Sequence, residues 1–114
     1  MAATILPLFE PSLIPATPAI NFFTATLPTQ VTKMTVVNTS LTTAYSVSIY
    51  WVPASGAPSD ATNQMVNARL IAAKESWDAW PFIGHVLARG DSIWAVADIA
   101  SKLIFAASGL AVSG

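Results

Sequence analysis

Polar and apolar residues alternate most regularly between Ala44 and Val52. There Val47, Ile49 and Trp51 fall on one side and Ser46, Ser48 and Tyr50 on the other. A period of two is that of a half-buried strand. Ser92 to Asp98 repeats it, with Ile93, Ala95 and Ala97 on one face and Trp94 and Val96 on the other. Asn21 to Thr26, Gln30 to Asn38, Ser76 to Trp80 and Leu103 to Val112 read as further strands, rich in Phe, Val, Thr and Trp. Gln64 to Ala73 fits neither period cleanly. A strand over Ala68 to Ala72 is favoured because Lys74-Glu75 then forms a polar turn. Turn residues punctuate the rest: Asn38-Thr39-Ser40 with Thr42-Thr43, the loop Pro53 to Asn63, Arg89-Gly90-Asp91, and Ile99 to Lys102. Phe82 to Ala88 has room for one short helical turn. About eight short, turn-separated strands predict an all-β chain, an antiparallel β-sandwich of jelly-roll-like form.

The first nineteen residues, MAATILPLFEPSLIPATPA, break that pattern. They are apolar but interrupted by proline every few positions, which excludes a helix and disfavours a central strand. An extended Pro-rich N-terminal arm (1–19) therefore precedes a single sandwich domain (20–114). Ile5, Leu6, Leu8, Phe9, Leu13 and Ile14 are its candidate anchors. They pack either on this protein's own core or on a neighbouring subunit.

Composition sharpens the picture. The 114 residues are one domain's worth. Hydrophobic residues make up 54% and charged residues 10%, against about 25% charged in an average soluble domain. That excludes intrinsic disorder. Five Lys and Arg are too few to neutralise many phosphates, so nucleic acid is not an expected partner. Two uncharged stretches, Pro11 to Thr32 and Met34 to Ser59, reach the roughly 20 residues of a membrane span. Both contain prolines, Asn and many Ser or Thr, which lipid would leave unsatisfied. No Lys or Arg precedes Lys33, so a signal peptide is not expected either. The expectation is a protein without membrane or classical export.

Chemistry is sparse. There is no cysteine and one histidine, His85. That leaves no disulfide, no thiol catalysis and no recognisable metal-ligand spacing. His85 lies in the apolar run Phe82 to Leu87 and reads as a core or interface residue. Glu75 and Asp91 read as solvated turn residues, and the acids form no catalytic pair. No catalytic, cofactor or metal site is expected. Arg89-Gly90-Asp91 and the glycosylation sequon Asn38-Thr39-Ser40 have ordinary turn explanations. Trp51, Trp77, Trp80 and Trp94 could pack a core, an interface or a sugar ring. Trp77 and Trp80 are three apart and would face opposite ways on a regular strand, which weakens a single flat platform.

The run from Val47 onward, about the last 65 residues, resembles small virion proteins of tailed bacteriophages. A strand ends in a valine-proline loop, with Tyr50, Val52, Pro53 and Gly56. An aliphatic strand (Leu70) and a Glu-Ser-aromatic element (Glu75, Ser76, Trp77) follow. Then come Gly84-His85-Val86-Leu87, a Gly90-Asp91 turn with Ile93, and a final strand with Ser108-Gly109. The resemblance implies a virion structural component with a β-sandwich fold.

The leading expectation is thus a non-enzymatic capsid decoration (cement) protein. It would bind the major capsid protein on the shell exterior, as a trimer of itself, and reinforce contacts between capsomers. It would be made in the host cytoplasm and end on the virion surface. The apolar excess suits a permanent interface, and many copies reinforce a shell through multivalency. Leu8, Phe9, Leu13 and Ile14 of the arm, with Trp77 and Trp80, are the candidate interface residues. The alternatives are a tail, adaptor or fibre-associated virion protein, and a small carbohydrate-binding module.

Overall fold

The computed structural model describes residues 2–54 and 63–113. Residues 55–62 of the Pro53–Asn63 loop, Gly56 among them, lie outside the described residues, as do the side chains of Ile5 and Leu6. The described chain forms nine strands: β1 (Ala2–Leu13), β2 (Ile20–Thr24), β3 (Thr29–Asn38), β4 (Tyr45–Val52), β5 (Gln64–Ile71), β6 (Ser76–Asp78), β7 (Val86–Leu87), β8 (Ser92–Ala97) and β9 (Leu103–Ser113). One sheet runs β1-β9-β3-β6, with β7 also on β3, and the other runs β2-β8-β4-β5. The pairings are antiparallel. The two sheets pack face to face as a β-sandwich. Among the described residues, no helix is long and apolar enough to cross a membrane.

The alternation read from the sequence sets which face looks inward. Val47 and Ile49 of β4 are buried, as are Ile93, Ala95 and Ala97 of β8. Trp94, Val96 and Ser48 on the opposite faces are half-buried. β9 buries Leu103, Phe105 and Ala107 against them. In β3 the buried positions jump from Val31 to Met34. A register shift between Val31 and Lys33 accounts for the extra residue. β5 contains a similar irregularity at Ala68, whose φ is 48°. Its amide donates to the Ser48 hydroxyl at 3.0 Å. That interruption is why the pattern of residues 64–73 matched neither period. Phe82 to Leu87 begins as a turn in which Phe82 and Ile83 donate to Ala79 and Trp80. Phe82 and Leu87 anchor this segment in the core.

The proline-bearing segment is a strand of the sandwich. β1 pairs with β9 along nearly its whole length. It takes the edge of its sheet, where missing amide donors are tolerated. Its register breaks between Pro7 and Phe9 and again between Phe9 and Ser12, beside the prolines. Two expected partner-facing anchors are thereby corrected: Leu8 and Ile14 belong to this chain's own core. The reason is geometric, because edge pairing on β9 carries these side chains into the space between the sheets. The Ile14 amide also donates to the Leu103 carbonyl at 2.9 Å. Phe9 packs at 4.8 Å on Phe105 and 5.5 Å on Phe22, tying β1, β9 and β2 together. Leu13 alone of the four stays 52% exposed.

Gly109 sits where β9 meets β3. A Cβ there would lie 2.3 Å from the Gln30 carbonyl oxygen, a main-chain atom with no room to retreat. Two outcomes are expected in urea denaturation. Ile14→Ala lowers stability by about 2–5 kcal/mol through cavity formation, and Gly109→Ala lowers it by about 1–3 kcal/mol through overpacking. Unchanged midpoints would show that β1 and the β3–β9 contact do not carry the fold as drawn.

Candidate interaction surface

Two surfaces stand out, on opposite edges of the β1-β9-β3-β6 sheet. The first is a groove of about 370 Å³ that runs from the β1 edge across β9 to β3, with Pro7, Phe9, Glu10, Lys33, Thr35 and Ala107 in its lining. The second lies at the other flank, where β6 of one sheet and β5 of the other leave the sandwich open. Trp77 sits opposite the buried Val36 on β3, and Arg69 opposite the buried Val47 on β4. Their registers point both side chains into the gap between the sheets. The Arg69 guanidinium carbon lies 5.0 Å from the centre of the Trp77 ring, a cation–π contact.

β6 ends at Asp78 and the chain turns at once, with the Trp80 amide donating to the Asp78 carbonyl at 2.8 Å. The turn brings Trp80 round to the side of Trp77. Both indoles line one groove of about 220 Å³ with Met65, Asn67 and Arg69. The expectation that they face opposite ways is corrected: it assumed a strand as far as Trp80, and the strand stops two residues earlier. Trp77 is half-buried against the core, whereas Trp80 is 71% exposed. Arg69 and Asn67 were not singled out from the sequence. The one available signal was Arg69 as a lone cation inside an otherwise uncharged strand.

The remaining candidate groups serve the fold. Asp91 is buried, not solvated. Its carboxylate accepts from Trp51 Nε1 at 3.0 Å, the Ala54 amide at 3.2 Å and the Ala88 amide at 3.0 Å. With its acid consumed, the Arg89-Gly90-Asp91 turn has no carboxylate to offer a receptor. Its backbone is also strapped to Ala25, whose carbonyl accepts from Gly90 and whose amide donates to Asp91. His85 is exposed rather than in the core, its ring edge-on to Trp51 at 5.3 Å. Asn38 is buried. Its amide nitrogen donates to the Thr43 and Ile71 carbonyls, so the sequon asparagine is committed to holding β3 against the 40–43 turn and β5. Glu75 and Asp98 accept the Ala72 and Ser46 amides, and Asp78 accepts the Thr35 hydroxyl. Trp94 donates to the Ser92 hydroxyl at 2.8 Å. Among the described residues, no three of His, Cys, Asp and Glu gather as a metal site.

Comparison with protein-family models, with curated proteins and with solved structures gave no match to this chain. The geometry therefore stands by itself. Among the described residues, Glu75, Asp78, Asp91 and Asp98 accept hydrogen bonds from the protein itself, and the two grooves are lined largely by apolar and aromatic side chains.

Asp91→Ala is expected to cost about 2–3 kcal/mol, because it leaves three part-buried hydrogen-bond donors without their acceptor, and to red-shift Trp51 emission. Asp98→Ala, at an exposed turn, serves as the mild control at about 1 kcal/mol. Equal losses in the two variants would remove Asp91 from its place as a hub.

Proposed function

We propose that this chain is a non-enzymatic structural protein of a bacteriophage virion, a decoration protein that binds the major capsid protein on the shell exterior as a trimer. The observation that carries the reading is the strand order. One sheet takes strands 1, 9, 3 and 6 and the other takes 2, 8, 4 and 5. Successive strands cross between sheets except at β4–β5 and β6–β7. That order supports reading the sandwich as the interlocked double Greek key of a jelly roll, an architecture recurrent in capsid and lectin domains. Fold alone does not fix function, so the surfaces must agree with it. They do: Leu13, Ile20, Leu41, Leu70, Trp80, Ile83 and Val86 are exposed apolar side chains on a chain with few charges to keep it apart from neighbours. The use of Glu75, Asp91 and Asp98 as acceptors for backbone amides supports binding rather than catalysis.

The shell contact is assigned to the β1 side. Leu13 is exposed there, and Pro7, Phe9 and Pro11 line the more voluminous of the two grooves. Prolines lower the ordering cost of an interface, and each weak contact is multiplied over the shell. A tail, adaptor or fibre-associated position in the virion is the second reading, supported by the same compact sandwich.

Quantitative mass spectrometry of purified virions separates the readings. On the order of hundreds of copies per particle fits decoration, about a dozen or fewer fits a tail or connector position, and absence from virions overturns both. Leu13→Glu is expected to reduce capsid occupancy by about tenfold with an unchanged unfolding midpoint, as for an exposed interface residue.

A further inference from the structure

We propose that the Trp77–Trp80–Arg69 groove binds the pyranose ring of an acidic sugar, a residue of the hexuronate class, independently of the shell contact. Three features of the groove lead there. The first is its two indoles. The faces of a pyranose present C–H bonds with partial positive charge, and the face of an indole carries the negative lobe of its quadrupole. Trp80 offers an open ring, while Trp77, packed against the core, gives the groove a fixed wall.

The second feature is Arg69. Among the described residues its guanidinium meets the Trp77 ring and no carboxylate. The nearby Asp78 carboxylate is turned to Thr35 at 3.1 Å. The contact with Trp77 keeps the guanidinium at the groove, where its N–H fork matches a bidentate carboxylate. Among the described residues Arg69 is the one charged residue in the groove lining, and its sign selects an anionic ligand. The exposed amide of Asn67 beside it can both donate to and accept from ring hydroxyls.

The third feature is size. At about 220 Å³ the groove falls below the roughly 300–1,000 Å³ of sites for drug-sized ligands. It suits a single sugar ring, with the rest of a chain running out through the open ends. A protein partner would also use Trp and Arg as anchors, but within a patch of roughly 800 Å² a side, whereas this groove is a small cleft of single-ring size. It also lies on the sheet edge opposite β1, so it stays open while the β1 side is occupied.

The test is a tryptophan-fluorescence and NMR titration of the full chain with tetragalacturonate, with cellotetraose as the neutral arm. Binding of tetragalacturonate alone, weakened by added salt, is the expected result. Trp80→Ala and Arg69→Gln should each weaken it by about tenfold or more. Arg69→Lys should recover only part, because it keeps the charge and loses the fork. Trp80 is exposed, so its removal leaves the fold intact, and the unfolding midpoint verifies this. No binding in either arm overturns the proposal, and equal binding of both sugars overturns the acidic assignment. Capsid occupancy, read separately with Leu13→Glu, reports on the virion reading alone, so either can fail without the other.

Discussion

β9 lies between β1 and β3, and most of the molecule depends on that position. It brings the C-terminal strand into contact with the N-terminal one and supplies Leu103, Phe105 and Ala107 to the inner face. Phe105 then meets Phe9 of β1 and Phe22 of β2, at 4.8 and 5.1 Å. One buried ring thereby couples both ends of the chain and both sheets. The close approach of β9 to β3 needs Gly109, since any side chain there would strike the Gln30 carbonyl. A low-charge chain of this size hides most of its apolar faces by closing two sheets on each other.

Once β9 is central, the edges acquire different characters. β1 carries its prolines at the rim of one sheet, where the register breaks beside them do little harm. At the other rim β6 is only three residues long, and the gap it leaves against β5 is covered by side chains, Trp77 with Arg69 stacked on it. The same short strand that leaves the flank open creates a groove lined by two indoles and a cation. The end of the sandwich is closed differently, by the Asp91 carboxylate gathering Trp51, Ala54 and Ala88. The carboxyl oxygens there are satisfied because three donors replace the water they lost.

Much of the architecture was legible in local sequence. The alternation in β4 and β8 depends on a period of two that needs no knowledge of partners, and the burial of Val47, Ile49, Ile93, Ala95 and Ala97 follows it. The prolines at 7 and 11 restricted their segment to an edge wherever it docked. β5 was harder, because the irregularity at Ala68 shifts the inward side part-way along and mixes the two periods. Of the proposed interface residues, Leu13 and Trp80 are exposed, while Leu8 and Ile14 turn inward. Among the β1 residues the difference arises from pairing with β9, about ninety positions away in the chain, whereas Trp80 is set by the turn that ends β6.

The sequence by itself determined the fold class and the inward faces of its regular strands. These rest on composition and short-range periodicity, which act within a few residues. Only the tertiary structure decided that Asp91 is a buried hub, that Asn38 is spent on backbone carbonyls, and that Trp77 and Trp80 share a groove with Arg69. The physical reason is the same each time. The partners are Trp51 for Asp91, Ile71 for Asn38 and β5 for the tryptophans. They arrive through antiparallel pairing and sheet-to-sheet packing between distant segments, and no local pattern encodes which segment will come to lie opposite.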